Sequence, residues 1–329
     1  MQYPKVDRSH IVPRNYLDNF AIDGTIAMRM AGWPASKPVS TRGAAVRKSF
    51  YSRTRPDGSR IDDVEWSLAQ LEGVTAPLLR NIGTAWPLDR DTKTKLAELF
   101  AYQLIRGPQW KDWHENFTRR FTANYPRDAG RNAKDRVAIE MAGQNLLTDT
   151  SRLTRMLSLG TKITAILASM HWTLLEFNRP WVVTSDHPVV MWPLSEHART
   201  PQSTSMDAGV LETLEVRVPV SPRRTILMTW SEDPDDESPH VRGCRDHAAN
   251  LNAFTIAQAD RQWFHQPGAP TPIACGRLLP LSTQLIRGYT AAAANNSRRR
   301  GRTSAIVQPM VGIDLENRDI EVVTMTRKT

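Results

Sequence analysis

Cysteine is almost missing from this chain: Cys244 and Cys275 are the only two in 329 residues. That count supports neither a disulfide framework nor a zinc knuckle, and it fits a reducing compartment. Long apolar runs are missing too. No window approaches roughly 18 uninterrupted apolar residues and residues 1–17 hold no signal-peptide core, so membrane spanning and secretion are disfavoured and a cytoplasmic setting is expected. There is no P-loop, no dinucleotide fingerprint after a strand, no HExxH, no GxSxG and no paired CxxC. Kinases, P-loop ATPases, Rossmann dehydrogenases, zincins and ordinary α/β-hydrolases lose support, and no motif specifies a nucleotide cofactor. Solenoid repeats and sustained heptads are absent as well.

What is present is enough for a folded protein. Apolar residues make up 40%, with 10 Trp, 8 Phe and 6 Tyr to pack a core. Basic residues number 43 against 34 acidic ones, a net +9, which favours an anionic partner such as a nucleotide or nucleic acid. Only nine of the 43 are lysine; an arginine bias of this kind also arises from GC-rich coding without selection for phosphate binding. The tightest cluster, Arg298, Arg299, Arg300 and Arg302, sits among Ala, Asn and Ser and reads as a solvated loop.

Along the chain, the spacing predicts three stretches. Residues 1–60 are punctuated by Pro4, Pro13, Pro34, Pro38 and Pro56, so long helices are excluded there and only a short turn after Pro13, carrying Tyr16, Leu17 and Phe20, is expected. Helices are expected from Asp62 through Leu79, over 91–106 with a break or kink at Pro108, and over 110–124, 131–147 and 151–170. Beyond Met170, strand-like runs cover 172–177, 181–184, 189–192, 211–220 and 225–230, with an acidic turn over 234–239. The cleanest alternation is Leu214, Val216, Val218 and Val220, with Glu215 and Arg217 between them. A helix over 246–260 offers Ala249, Ala253 and Ile256 on one face. The expected fold is α+β: a central helical block over 61–170, then a small, mostly antiparallel sheet within a strand-rich part over 171–329. The extended segment 1–60 is integrated into the core, giving one compact unit.

Two polar segments stand among apolar neighbours. In the first, His10 precedes Pro13 and Arg14; a histidine on a well-held backbone suits general acid–base work near neutrality, and equally suits a buried ring satisfying backbone groups. In the second, Thr184, Ser185, Asp186, His187 and Pro188 lie between strand-like runs. A carboxylate at a strand end can orient a histidine or hold a divalent metal, but Ser-Asp-His-Pro is also an ordinary turn. Glu72 and Arg106 fall on separate helices and can reach a common pocket or stay at the surface. His247 and Asn250 share a helix face. His114 and Glu115 read as helix surface.

Taken together, His10-Ile11-Val12-Pro13, Tyr16-Leu17, Phe20, the helical stretch Gln103 to Arg106, Thr184-Ser185-Asp186-His187-Pro188 and Pro219-Val220-Ser221-Pro222 resemble a bacterial domain-of-unknown-function family, number 4238, over about residues 9–265. The family pattern has Asn more often than His187, and Pro-Leu-Ser-Pro where this chain has Pro-Val-Ser-Pro. The resemblance supplies no reaction. It implies that His10, Arg106, Ser185 and Asp186, which match motif positions, are candidates for one shared site; Arg14, Glu72, Gln103, His187, His247 and Asn250 are secondary candidates, and the departure from Asn gives His187 no role by resemblance.

The leading expectation is therefore a hydrolase or transferase acting on a phosphate-bearing substrate. His10 would be the acid or base, Asp186 its orienting group or a metal ligand, Arg106 the stabiliser of negative charge and Ser185 a hydrogen-bond donor. The rival is a non-catalytic nucleic-acid or protein binding module of a stress or phage-defence system, and a third reading is a tailoring enzyme of secondary metabolism. Oligomeric state and metal dependence are left open.

Overall fold

The structure is a computed structural model and describes residues 6–55, 57–124, 141, 144–193, 206–211, 213–230, 239–275, 278, 280–282, 310–314 and 319–323. The Arg298–Arg302 cluster, the acidic residues Asp235 to Glu237 and most of the helix expected over 131–147 lie outside these residues.

The N-terminal part is built from short strands around one helical turn. Strand β1 (Arg8–His10) leads into α1 (Arg14–Asp18), which starts directly after Pro13, where a fixed φ and a missing N–H cost nothing. Then come β2 (Thr25–Met30), β3 (Lys37–Ser40), β4 (Val46–Lys48), β5 (Arg53–Thr54) and β6 (Arg60–Ile61). β1 pairs antiparallel with β4, and β5 with β6.

The helical block follows as expected. α2 (Asp63–Arg80) buries Val64, Leu68, Thr75, Ala76 and Leu79 and carries Asp63 and Glu65 in its first turn, where the dipole favours them. α3 (Arg90–Ile105) is capped by the Asp89 carboxylate, which accepts from the Thr92 N–H at 2.8 Å. The chain breaks at Arg106 and Gly107, and Pro108 opens α4 (Pro108–Asn124) instead of kinking a continuous helix. α5 (Asp149–Ser169) packs closely on α3: a Cβ at Gly160 would overlap the Tyr102 ring, so only glycine permits that approach.

Next are β7 (His171–Phe177), β8 (Thr184–Ser185), β9 (Val190–Pro193), α6 (Met206–Leu211), β10 (Thr213–Ser221), β11 (Arg224–Thr229), β12 (His240–Gly243), α7 (Arg245–Ala257), β13 (Gln262–His265) and the hairpin β14 (Met310–Asp314) with β15 (Asp319–Val323). Five strands form a sheet in the order β12-β7-β11-β10-β9, antiparallel except for β12 on β7. A second sheet, β3-β2-β13-β8, joins the N-terminal strands to the C-terminal half. The architecture is α+β with the N-terminal segment packed into the core: Ile11, Val12 and Phe20 share a buried cluster with Leu99, Phe100, Leu174 and Ile226.

Several expectations are corrected. Residues 181–183 are not strand; only Thr184 and Ser185 pair, against β13. Leu211 ends a helix, and β10 starts at Thr213. Glu215 and Arg217, between the alternating apolar residues, are buried as fully as their neighbours, because both faces of β10 are covered. α7 buries Ala248, Leu251, Asn252 and Thr255 and leaves Ala249 and Ile256 half-buried. His114 is buried, beside the stacked Trp110 and Trp113. Among the described residues no helix is long and apolar enough to cross a membrane.

Candidate functional site

The end of α3 creates the first polar cluster. Arg106 is wholly buried, and each direction of its guanidinium is used: Nη1 donates to Glu72 Oε1 at 2.6 Å, Nη2 to the His10 carbonyl at 2.6 Å and Nε to the Tyr51 hydroxyl at 3.0 Å. The Tyr51 hydroxyl donates in turn to the Arg106 carbonyl at 3.0 Å. Burial opposes the charged guanidinium, but Tyr51 and Glu72 outweigh it and raise its pKa. One turn earlier on the same helix, Gln103 Nε2 donates to the Ile11 carbonyl at 2.9 Å. The C-terminal turn of α3 thus clamps the backbone that presents His10.

The His10 ring is half-buried and sits in this field. Its Nε2 has no hydrogen-bond partner and is out of contact with water. Burial pushes the imidazole below its usual range; the Glu72 charge and the Arg42 bond resist, while Arg106 and Arg8 add to the lowering.

Glu65 completes the cluster, and no motif marked it. It lies seven residues before Glu72 on α2, two turns away on the same face and about 10 Å along the axis. Burial raises its carboxyl, against the Arg106 charge and a bond with Ser9, and its Oε2 has no partner. The i, i+7 spacing of the two glutamates was visible in the sequence; the closure of Tyr51 and Arg42 onto the same place was not.

The second polar segment makes contacts of its own. Asp186 is buried, its Oδ1 accepting from the Asp260 N–H at 2.8 Å and its Oδ2 from the Arg261 and Gln262 N–H groups at 2.9 and 3.1 Å. Burial pushes this carboxyl up to about 6 against the pull of the three donors. Ser185 Oγ donates to the His187 carbonyl at 2.8 Å and accepts from the His187 N–H at 3.1 Å, closing the turn. Burial drives the His187 ring down to about 4, so it is neutral at pH 7. Among the described residues no hydrogen bond or ion pair joins Asp186 or Ser185 to His10 or Arg106.

The secondary residues divide in the same way. Glu72 and Gln103 belong to the His10 cluster, whereas Arg14 is exposed and faces Asp18 at 3.6 Å. His247 Nδ1 accepts from the Cys244 N–H at the start of α7. Asn250 Oδ1 accepts from Arg217 Nη1 at 3.0 Å. That arginine is fully buried between Trp192 and Phe254, and its charge is met by Glu215. Glu215 also accepts from the Leu281 and Ser282 N–H groups at 2.9 and 2.8 Å. No group of three His, Cys, Asp or Glu side chains among the described residues is placed to hold a metal ion.

The quoted motifs meet at Tyr16, whose hydroxyl lies 2.9 Å from Thr184 Oγ1 and bonds the Pro219 carbonyl. No curated protein and no solved structure matches the chain. The sequence model of the family described as "Protein of unknown function (DUF4238)" matches residues 8–269, somewhat beyond the span of the motifs at both ends. With most of its length matched, from β1 through β13, the chain belongs to the DUF4238 family.

Proposed function

We propose that the protein is an acid–base enzyme, a hydrolase or transferase acting on a phosphate-bearing substrate such as a nucleotide or nucleic acid, with His10 as general base. One observation carries the reading: Nε2 of His10 has no hydrogen-bond partner, and the negative charge of Glu72 acts on the ring. A histidine neutral at pH 7 can take a proton from an attacking water or hydroxyl once the groups that cover Nε2 move aside on substrate binding, and the nearby negative charge stabilises the imidazolium that forms. Arg106 acts here as a positioning residue, since its donors are spent on Glu72, Tyr51 and the His10 carbonyl. Asp186 and Ser185 shape the neighbouring turn. The net charge of +9 supports an anionic substrate.

The same reading takes the chain as one unit, supported by a core that runs from Ile11 to Leu281, and places it in the cytoplasm, supported by two free, exposed cysteines. The test is turnover of nucleotides and phosphodiesters by wild type and by His10→Gln. Loss of turnover with affinity kept within a few fold is expected; full turnover by the Gln variant removes His10 as the base.

A second reading, a non-catalytic binding module, is favoured by a different observation. Nε2 of His10 is covered, and the polar groups of Arg106, Asp186 and Ser185 are all satisfied internally, as in structural knots. In that case no turnover exists to lose, and His10→Gln lowers stability and binding together.

A further inference from the structure

The ribbon that presents His10 carries a charge arrangement that its own structure does not explain. In the β1–β4 ladder Arg8 stands opposite Lys48, and His10 opposite Val46. Alternate residues of a strand face one way, so Arg8, Lys48 and His10 share one side of the ribbon, the residue pairs about 7 Å apart along it. Arg8 and Lys48 are both exposed. Two like charges directly opposite each other destabilise a ladder. The surrounding carboxylates are engaged elsewhere: Asp7 with Arg60 at 3.0 Å, Glu72 with Arg106 at 2.6 Å, and Asp260 with Arg47 at 3.6 Å. Among the described residues none forms an ion pair with Arg8 or Lys48.

Two further observations tie this pair to the imidazole: Arg8 Nη2 reaches the Arg42 carbonyl at 3.4 Å, and the charge of Arg8 acts on the His10 ring, as the Arg42 backbone does. Arg42, whose carbonyl Arg8 reaches, is itself exposed and offers a third cation from the same loop. A guanidinium fork beside an ammonium is matched by one tetrahedral dianion, with Arg supplying paired donors and Lys a point charge.

We infer that Arg8, Lys48 and Arg42 form a phosphate subsite at the rim of His10. The inference rests on the acid–base reading above for its consequence, the placement of a phosphate group one residue pair from the base, but not for its test. A phosphate bound there turns the Arg8–Lys48 repulsion into attraction.

The experiment uses the full chain and three probes: inorganic phosphate, adenosine monophosphate and a single-stranded DNA oligonucleotide, titrated calorimetrically over a range of salt. Arg8→Ala/Lys48→Ala is expected to bind phosphate at least tenfold more weakly and to melt at the same temperature as wild type or higher, because the repulsion is gone. With the oligonucleotide, the dependence of log K on log salt should flatten by about 0.7 for each phosphate that is no longer neutralised. Tight mononucleotide binding assigns the subsite to a single phosphate, and binding only of the oligonucleotide with a steep salt slope assigns it to a polynucleotide backbone. Unchanged phosphate affinity in the double variant, or no saturable binding by wild type to any probe, overturns the subsite. His10→Gln separates the two ideas: full turnover in that variant with phosphate binding abolished in Arg8→Ala/Lys48→Ala removes the base and keeps the subsite, and the converse pattern does the reverse.

Discussion

The Tyr16 hydroxyl lies 2.9 Å from the Thr184 hydroxyl across 168 residues of chain. It donates to the Pro219 carbonyl and so accepts from Thr184, and all of these groups are buried. One phenol joins α1, β8 and β10.

Tyr16→Phe keeps the ring and its packing against Phe20 while removing the hydroxyl, leaving the Pro219 carbonyl without its donor and Thr184 without its acceptor. The expected loss is about 1–3 kcal/mol of unfolding free energy. Urea denaturation at pH 7 measures it, and a variant as stable as wild type would show that the hydroxyl carries no net stabilisation.

Asp186 has a folded-state pKa of about 6, above the ordinary carboxylate range near 3.9. The folded state therefore holds the proton where the unfolded chain has released it. The stability linked to this group is full below about pH 4 and is lost as pH rises through about 6. Asp186→Asn removes the titration, and its Nδ2 faces N–H donors that need an acceptor. The variant should be less stable throughout, with the gap to wild type narrowing as pH rises from 4 to 7. A gap that widens over that range would place the carboxyl pKa below the unfolded value, held there by its three donors.

The buried Glu215–Arg217 pair is expected to be intolerant of single changes. Arg217→Met leaves Glu215 an uncompensated buried anion, and Glu215→Gln strands the guanidinium between Trp192 and Phe254, each at about 3–5 kcal/mol. Met fills the slot between the two rings, so Glu215→Gln/Arg217→Met should be more stable than either single variant. Equilibrium unfolding of the three proteins gives the coupling energy, and strict additivity would deny that the charges depend on each other.

For His10, burial with the charges of Arg106 and Arg8 sets the ring below its ordinary value of 6.5. If it is the base, kcat/KM rises with pH and reaches its plateau through a midpoint under 6.5. Glu72→Gln removes the charge that supports the imidazolium and frees Arg106 to repel it, so the midpoint should move lower still. Proton NMR of the ring follows the same titration without needing turnover. An unshifted His10 resonance in Glu72→Gln would show that the carboxylate does not act on it.

Local signals carry much of the architecture. Prolines confine residues 1–60 to short elements, and the apolar spacing of Val64 and Leu68 and of Leu96, Leu99 and Phe100 marks α2 and α3, because these patterns depend on neighbours within a turn or two. The strand β13 has no such signal: Gln262–His265 is four residues long, and it becomes a strand through pairing with β2 and β8, which are remote in sequence. Glu215 and Arg217 have the pattern of the wet side of a half-buried strand, since alternation cannot report whether both faces of a strand will be covered.

The amino-acid sequence by itself determined the α+β order, the helices α2 to α5 and α7, the unusual residues His10, Arg106, Ser185 and Asp186, and the family to which the motifs belong. Tertiary structure alone decided their company. It placed Arg106 with His10, Glu72 and Tyr51, gave Asp186 to the N–H groups of 260–262, and set Arg8 against Lys48. The physical reason is that hydrogen bonding and charge act over a few ångströms, while the partners lie tens to hundreds of residues apart. Which donor meets which acceptor is settled only when the apolar faces of the helices and sheets have packed and brought them within reach.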